Sequence, residues 1–281
     1  MRLAAAMVVL GFLTAAAAGI EPTRIVVYKT VGDVELTLHI FEPPDHQATD
    51  KTPALVFFHG GGWSNGAPDR VYQHAAYLSS RGLWVAAPEY RIRSRHHTTP
   101  VECVKDGKSA MRYVRAHATE FGIDPDRIAA GGGSAGGHIA AATAVIDDFN
   151  EDSDDLSVSP VPNALLLYNP VYDNSKDGYG YGRVKDYWQK ISPMEHIRKG
   201  MPPTVVFFGT KDQLISVAIA KEFQRRMQAV GSRSELHLYE GLKHGFSNPK
   251  HLDGRYFRDV VRKMDDFLIS LGYLSGKPAI Q

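Results

Sequence analysis

One stretch of the chain decides the fold: Ile128-Ala-Ala-Gly-Gly-Gly-Ser-Ala-Gly-Gly-His138. It begins like an apolar strand, passes through a glycine-rich turn and continues into a helix-forming segment. Its centre, Gly132-Gly-Ser-Ala-Gly136, has the G-x-S-x-G spacing that places a serine on a sharp strand-to-helix turn. Such a turn strains the serine backbone and leaves no room for side chains two residues away, hence Gly132 and Gly136. The stretch therefore predicts an exposed, reactive hydroxyl at Ser134.

Strand and helix patterns alternate along the chain on both sides of this turn. Most of the strand patterns are continuous apolar runs, which are typical of strands buried on both faces. They lie at 54–58, 83–87, 128–133, 164–168, 204–208 and 234–239. Helical spacing of apolar residues occurs at 69–82, 100–122, 135–146, 217–230 and 253–271. The alternation predicts an α/β fold with a mainly parallel, eight-stranded sheet that carries helices on both faces.

Two segments depart from this alternation. Residues 24–32 and 34–42 alternate β-branched and polar residues around a Gly-Asp turn, which predicts a hairpin at the edge of the sheet. Residues 171–203 lack strand periodicity and are rich in tyrosine and tryptophan, which indicates a small cap-like insertion. Its aromatic side chains could form an acyl- or sugar-stacking wall over Ser134 or the core of the insertion itself. We expect a single domain over 19–281.

Composition excludes several classes of function. The formal net charge is only +1, with acids and bases mixed along the chain, so the basic face of a nucleic-acid-binding protein is not expected. Cys103 is the only cysteine, which rules out an internal disulfide and a zinc-like Cys/His cluster. His96-His97 has no third ligand nearby and is interpreted as part of a surface loop. The acidic stretch 147–155 lacks the glycine and distal glutamate of a calcium loop and predicts a solvated loop. We expect no metal and no cofactor.

The N-terminus has the pattern of a secretory signal peptide. Met1-Arg2 supplies a positive start, and the apolar stretch from Leu3 to Ala18 is too short to span a bilayer comfortably. Small residues at 16–19 predict cleavage after Ala18, so that residues 1–18 would be removed. The mature protein is then expected to be secreted or periplasmic, without stable membrane insertion. An uncleaved anchor helix is the alternative.

Three residue types that cooperate in nucleophilic catalysis follow the ends of predicted strands. They are Ser134, Asp212 and His244. The carboxyl ends of parallel strands meet at one edge of a sheet, so these side chains are expected to converge. A serine hydroxyl needs a base within hydrogen-bond reach, which His244 would supply, and Asp212 would orient the imidazole. The chain order Ser, Asp, His is the order of α/β hydrolases.

Other residues could be mistaken for the base or the acid. His59 belongs to a glycine motif, and His138 is carried down the helix away from the hydroxyl by its four-residue spacing from Ser134. Glu240 stands too near His244 along the chain to be its acid, and Asp186 lies within the insertion. His244 and Asp212 are therefore preferred.

A second glycine-rich stretch predicts the oxyanion hole. His59-Gly-Gly-Gly-Trp63 follows the buried strand at 54–58, and its glycines allow backbone N–H groups to point into a small space. Gly61 and Gly62, together with the N–H of Ala135, are the predicted donors. One such donor typically contributes about 10²–10³ in rate.

Together, His59-Gly-Gly-Gly-Trp63 and Gly132-Gly-Ser-Ala-Gly136 resemble the hormone-sensitive-lipase-like branch of the α/β-hydrolase esterases. The resemblance is strongest to exported bacterial carboxylesterases related to acetylxylan and feruloyl esterases. It extends over Pro88-Glu-Tyr-Arg91, Ile123-Asp-Pro-Asp-Arg127 and the segments that carry Asp212 and His244. Typical members of the branch carry a longer N-terminal helical cap, so any lid here must come from 171–203.

The resemblance implies a secreted serine carboxylesterase that hydrolyses short-chain acyl esters through an acyl-enzyme. Its substrate would be a small-molecule or polysaccharide-linked ester, such as an acetyl or feruloyl ester on carbohydrate. Three alternatives remain: a lipase-like carboxylesterase of broader acyl range, a prolyl-oligopeptidase-type serine peptidase, and a binding protein on an inactive hydrolase scaffold.

Overall fold

The computed structural model describes residues 19–280, so the expected signal peptide at 1–18 lies outside the described residues. Within this range the chain forms eight strands in a single sheet. They are β1 (Arg24–Val31), β2 (Val34–Phe41), β3 (Thr52–Phe58), β4 (Trp84–Pro88), β5 (Ile123–Gly133), β6 (Ala164–Tyr168), β7 (Thr204–Gly209) and β8 (Ser234–Tyr239).

The strand order in the sheet is β1-β2-β4-β3-β5-β6-β7-β8. Strand β2 pairs antiparallel with β1 and β4, and all the other neighbours are parallel. The predicted eight-stranded, mainly parallel sheet and its edge hairpin are thus confirmed. Because β5 is hydrogen-bonded to β3 on one side and to β6 on the other, the turn that carries Ser134 rises from the middle of the sheet.

Eight α-helices connect these strands within the described range, and 3₁₀ turns flank three of them. The helices are α1 (Tyr72–Ser80), α2 (Arg93–His96), α3 (Pro100–Ala116), α4 (Ala135–Val145), α5 (Tyr181–Val184), α6 (Trp188–Ile191), α7 (Val217–Ala229) and α8 (Arg255–Ser270). The helix predicted over 100–122 ends at Ala116, and the chain then turns until Gly122, whose φ of +62° suits glycine. Helix α2 is a single turn that the sequence pattern did not predict.

The core lies on both faces of the sheet. Neighbouring residues of β3 point to opposite sides, with Val56 and Phe58 in one apolar cluster and Leu55 and Phe57 in the other. All four are fully buried. Helices on both faces exclude water from the central strands, which explains why these strands read as continuous apolar runs rather than alternating ones.

The acidic stretch 147–155 is only partly the solvated loop that its composition predicts. Asp147 and Asp148 are exposed, but Glu151 forms ion pairs with Lys29 (2.9 Å) and Arg91 (2.6 Å). Burial alone would raise the pKa of Glu151, but these two cations outweigh it and lower the pKa to about 2. The network continues to the fully buried Asp106 of α3, so it joins the loop to β1 and α3.

Candidate active site

Ser134 stands on the turn between β5 and α4 in a strained backbone conformation, with φ 55° and ψ −120°. A non-glycine residue adopts a positive φ only when its surroundings impose it. Here the Ser134 N–H donates to the carbonyl of Tyr168 on β6 (3.1 Å), while the Ser134 carbonyl accepts from the N–H of His138 (3.0 Å). The turn therefore holds the hydroxyl at the carboxyl edge of the sheet.

The glycines on either side of Ser134 are required by the close approach of β3. A Cβ atom at Gly132 would lie 2.4 Å from the carbonyl oxygen of Phe58, and one at Gly136 would lie 2.2 Å from the same atom. Both distances are far below van der Waals contact, and the opposing atom belongs to the backbone. The predicted need for residues without side chains at these two positions is confirmed.

Replacing Gly136 by alanine is therefore expected to destabilise the protein by about 3 kcal/mol, the upper part of the usual range for overpacking. Equilibrium urea unfolding measures the effect. Gly182→Ala is the matched control, because a Cβ at Gly182 meets nothing within 4 Å and the residue lies in the short helix α5. Equal free energies of unfolding for the two variants would contradict the steric explanation.

His244 follows β8 and contacts both other members of the predicted triad. Its Nε2 lies 3.0 Å from Ser134 Oγ, and its Nδ1 lies 2.7 Å from Asp212 Oδ2. An ionised carboxylate only accepts hydrogen bonds, so Nδ1 carries the imidazole proton and Nε2 is free to accept the Ser134 hydroxyl proton. The structure thus brings together the three side chains that the sequence analysis selected.

Asp212 follows β7, and its carboxylate is completely buried. While Oδ2 faces His244, Oδ1 accepts hydrogen bonds from the backbone N–H groups of Leu214 (2.9 Å) and Ile215 (3.0 Å). These three hydrogen bonds engage both carboxylate oxygens and fix the carboxylate in one orientation. The rivals Glu240 and Asp186 are both exposed, and neither forms a hydrogen bond with His244 among the described residues.

The two rival histidines are buried structural residues. His59 stacks on Tyr90 with ring centroids 4.2 Å apart. His138 accepts a hydrogen bond from Trp63 Nε1 at its Nδ1 (3.3 Å) and donates from Nε2 to the carbonyl of Ile191 (2.8 Å). Both nitrogens of His138 are thus committed, so it links helix α4 to the insertion rather than acting on Ser134.

His138 gives the protein a defined acid sensitivity. Burial lowers its pKa from 6.5 to about 4, against the opposing effect of the Ile191 carbonyl. As the pH falls below 6.5 the unfolded chain therefore binds the proton first, and stability declines until the pH passes about 4. We expect a loss of about 3 kcal/mol over this window from this residue.

Urea unfolding at pH 7 and pH 4.5 measures this loss. His138→Gln retains a donor and an acceptor but does not titrate, so its stability should fall less steeply over the same interval. Identical pH slopes for the two proteins would contradict the assignment.

The glycine loop that carries two of the predicted oxyanion donors, Gly61 and Gly62, lies beside Ser134. A Cβ at Gly60 would be 3.5 Å from the Cβ of Ser134, which places this glycine loop against the turn. The carbonyl of Gly61 accepts from the N–H groups of two following residues at 3.1 Å each, while within residues 19–280 the N–H groups of Gly61 and Gly62 donate to no backbone carbonyl. Ala135 is the first residue of α4, so its N–H has no acceptor within the helix.

A cavity of about 670 Å³ opens over Ser134. Of the aromatic side chains in 171–203, Tyr179 lines it, whereas Tyr172 is buried and stacks on Phe223 of α7 with ring centroids 3.6 Å apart. One aromatic side chain of the insertion therefore borders the cavity, and another belongs to the core that holds the insertion in place. Arg183 holds the insertion to the glycine loop, since its guanidinium donates to the carbonyl of Gly62 and lies over the ring of Trp63.

Asn169 is a residue of the site that the sequence analysis missed. It follows β6 directly, is 2% exposed and has a φ of 35°. Its Oδ1 accepts from the N–H of Gly245 (3.3 Å), which leaves Nδ2 at 3.4 Å from His244 Nε2. The signal was present: a polar residue directly after a buried strand. The sequence analysis considered only serine, histidine and acidic residues at such positions, so the amide of Asn169 was not among the predicted site residues.

Within residues 19–280, no group of three or more His, Cys, Asp or Glu side chains is placed to hold a metal ion. No helix in the same range is long and apolar enough to cross a bilayer.

A strained serine hydrogen-bonded to a histidine that is itself hydrogen-bonded to a buried carboxylate is the arrangement found in serine hydrolases. Comparison with known proteins narrows this class. A family model described as BD-FAE matches residues 38–164, and the model of the dienelactone hydrolase family matches residues 175–267.

Among solved structures, the apo form of Thermogutta terrifontis esterase 2 is 38% identical, covers 92% of this chain and 98% of its own, and superimposes with a TM-score of 0.89. Its butyrate-bound form is 37% identical, covers 92% and 97% of the two chains, and gives a TM-score of 0.88. The chain belongs to the α/β-hydrolase family of carboxylesterases.

Curated relatives are more distant. A probable isoprenylcysteine alpha-carbonyl methylesterase of Arabidopsis thaliana is 29% identical over 70% of this chain and 46% of its own length. Esterase LipC of Mycobacterium tuberculosis is 29% identical over 70% of this chain and 54% of its own. The chain therefore spans about half the length of these relatives.

Proposed function

We propose that this protein is a carboxylesterase that works through an acyl-enzyme on Ser134. The observation that carries the proposal is the unbroken hydrogen-bond chain from Asp212 through His244 to Ser134 Oγ, with distances of 2.7 and 3.0 Å. The serine stands on a strained turn above the sheet, where a substrate carbonyl can reach it. Family membership supports the same chemistry.

In the first half of the reaction, Ser134 Oγ attacks the carbonyl carbon of the ester while His244 Nε2 takes the hydroxyl proton. The carbonyl oxygen becomes an oxyanion, which the N–H groups of Gly61, Gly62 and Ala135 would stabilise. The tetrahedral intermediate then collapses, the bond to the alkoxy oxygen breaks, and the imidazolium returns its proton to the departing alcohol. Asp212 holds the imidazole orientation and stabilises its positive charge.

In the second half, water takes the place of the alcohol. It attacks the acyl carbon while His244 Nε2 accepts its proton, and the same donors bind the new oxyanion. Collapse releases the carboxylic acid and returns the proton to Ser134 Oγ. Apart from the ester and water, these steps use only the side chains and backbone of the site.

The cavity supports a preference for short acyl groups over long aliphatic chains. Leu214 is the one branched aliphatic side chain among the described residues that line it, whereas most of the others are polar or charged. A long acyl chain gains affinity by leaving water to pack against aliphatic side chains, and this cavity offers few of them. The structure of the relative from Thermogutta terrifontis has been solved with butyrate, a short-chain carboxylate, bound. We propose acetyl or feruloyl esters on carbohydrate as the substrate class.

We also propose that the protein is exported from the cytoplasm. The N-terminal pattern of a positive start, an apolar stretch and small residues before Gly19 supports removal of residues 1–18 and a secreted or periplasmic location. Pulse-labelling of the full chain in a bacterial host tests it: cleavage after Ala18 and recovery outside the cytoplasm are expected. An uncleaved cytoplasmic product would contradict it.

The substrate proposal is tested by kcat/KM on aryl acetate, butyrate and octanoate, with methyl ferulate and acetylated xylan measured alongside. A steep fall from acetate to octanoate is expected. Flat or rising values would indicate an open apolar groove and the broader lipase-like activity instead. Cleavage of an aminoacyl anilide without cleavage of any ester would indicate a peptidase.

A further inference from the structure

Two buried side chains in the cavity wall, His74 of α1 and Ser247 of the loop after His244, have polar atoms without a protein partner. His74 is 2% exposed and Ser247 is 1% exposed, and both line the cavity over Ser134. Among the described residues, no hydrogen-bond partner is found for either ring nitrogen of His74 or for Ser247 Oγ. Neither residue has a role in the proton transfers described above.

The ring of His74 is packed against aromatic side chains, whereas its two nitrogens have no hydrogen-bond partner among the described residues. One face lies parallel to the ring of Tyr168, with centroids 5.4 Å apart and an interplanar angle of 5°. Phe257 meets the ring edge-to-face at 4.7 Å, and Phe57 packs against it at 5.3 Å. An apolar ring would fill this space equally well. Native proteins rarely leave buried nitrogens unpaired, because desolvation without a new hydrogen bond is costly.

Both residues line the cavity, so a group that binds there is the candidate partner for these atoms. Burial lowers the pKa of His74 to about 3, so at neutral pH its imidazole offers one N–H donor and one acceptor nitrogen. The Ser247 hydroxyl likewise donates and accepts. A hydroxyl group matches both, since it donates and accepts at one atom, whereas a carboxylate only accepts and an ammonium only donates.

We propose that His74 and Ser247 form a subsite that recognises a hydroxyl group on the ester substrate, carried by a sugar or by a hydroxylated aromatic ring. The subsite rests on the proposed esterase function and specifies it further. It makes the cavity selective for hydroxylated esters over analogues of the same shape that lack the hydroxyl. A site built to bond a hydroxyl discriminates strongly, because an analogue without one leaves its buried groups unpaired.

The test compares two matched ester pairs. Methyl 4-hydroxycinnamate and methyl cinnamate differ by a hydroxyl on the acyl side. A monoacetate of methyl β-xyloside and cyclohexyl acetate differ by hydroxyls on the alcohol side. The readout is the ratio of kcat/KM within each pair, measured for the wild type, His74→Phe and Ser247→Ala. Ser79→Ala, on the same helix α1 and away from the cavity, is the control.

We expect the wild type to prefer the hydroxylated member of at least one pair, and each variant to lower that ratio about 10-fold. A lower ratio in the cinnamate pair alone would place the recognised hydroxyl on the acyl side. A lower ratio in the acetate pair alone would place it on the alcohol side. The control should keep the wild-type ratio. If His74→Phe does not fold, the smaller change Ser247→Ala decides.

Two results would overturn the subsite: a wild type that shows no preference within either pair, or variants that lose activity on both members equally. Phenyl acetate is measured first with the wild type. If it is not hydrolysed, the esterase assignment itself fails and the subsite with it, so the two failures are told apart.

Discussion

Ser134→Ala is expected to lower kcat on aryl acetate by about 10⁵- to 10⁶-fold while the protein remains folded. Without Oγ no acyl-enzyme can form, and only the oxyanion donors and substrate binding are left to accelerate direct attack by water. The fold should persist, because the turn at 134 is held by backbone hydrogen bonds to Tyr168 and His138 that alanine can keep. Burst kinetics measure the loss of acyl-enzyme formation and turnover, and urea unfolding measures whether the variant stays folded.

A covalent probe makes this prediction independent of the substrate. An organophosphate that esterifies reactive serines should add one phosphoryl group to the wild type, on the peptide that contains Ser134, and none to the variant. Ser80→Ala, at the exposed end of α1, should be labelled and turn over like the wild type. A Ser134→Ala protein with wild-type turnover would remove this residue from the mechanism.

Asp212→Asn should cost about 10⁴-fold in kcat with little change in structure. The reason lies in the two backbone N–H groups of Leu214 and Ile215, which bond Oδ1 of the native carboxylate. In the variant only the amide oxygen can accept from them, so the amide NH₂ must face His244 Nδ1. The imidazole then has to carry its proton on Nε2, the atom that should accept the proton of Ser134.

Proton NMR of the imidazole distinguishes this tautomer change from simple misfolding, since the downfield Nδ1–H signal of the wild type should vanish in the variant. Asp186→Asn removes the rival carboxylate, which is exposed on the insertion, and serves as the control. An Asp186→Asn variant that loses activity as severely as Asp212→Asn would mean that the acid was wrongly assigned.

Much of this site could be predicted because its parts follow local rules. Ser134, Asp212 and His244 each stand just beyond a strand that the apolar pattern defines, and parallel strands bring such positions to one edge. The glycines at 132 and 136 are fixed by a steric requirement that acts within a few residues. The same holds for the edge hairpin and for the sheet, whose strands are long enough to give clear periodicity.

The rest depended on contacts between distant segments. The composition of 147–155 predicted a solvated Glu151 because its neighbours along the chain are acidic, whereas its partner Lys29 lies far earlier in the chain, on β1. Asn169 and His74 carry no motif, and only the three-dimensional arrangement shows that they border His244 and the cavity. The helix ends at Ala116 rather than at the predicted 122, because Gly122, a typical signal of a helix end, closes the turns that follow the helix instead.

Four neighbouring strands, β5 to β8, deliver Ser134, Asn169, Asp212 and His244 in turn, and the insertion at 171–203 enters between β6 and β7. The positions of the reacting side chains are therefore fixed by the hydrogen-bonded strands of the sheet. The cavity wall above them belongs to a separate stretch of chain. For an engineer this makes the insertion an exchangeable part. A segment from another member of the family can be grafted at its two ends to change which esters enter, provided that it again supplies a cation to the carbonyl of Gly62, as Arg183 does.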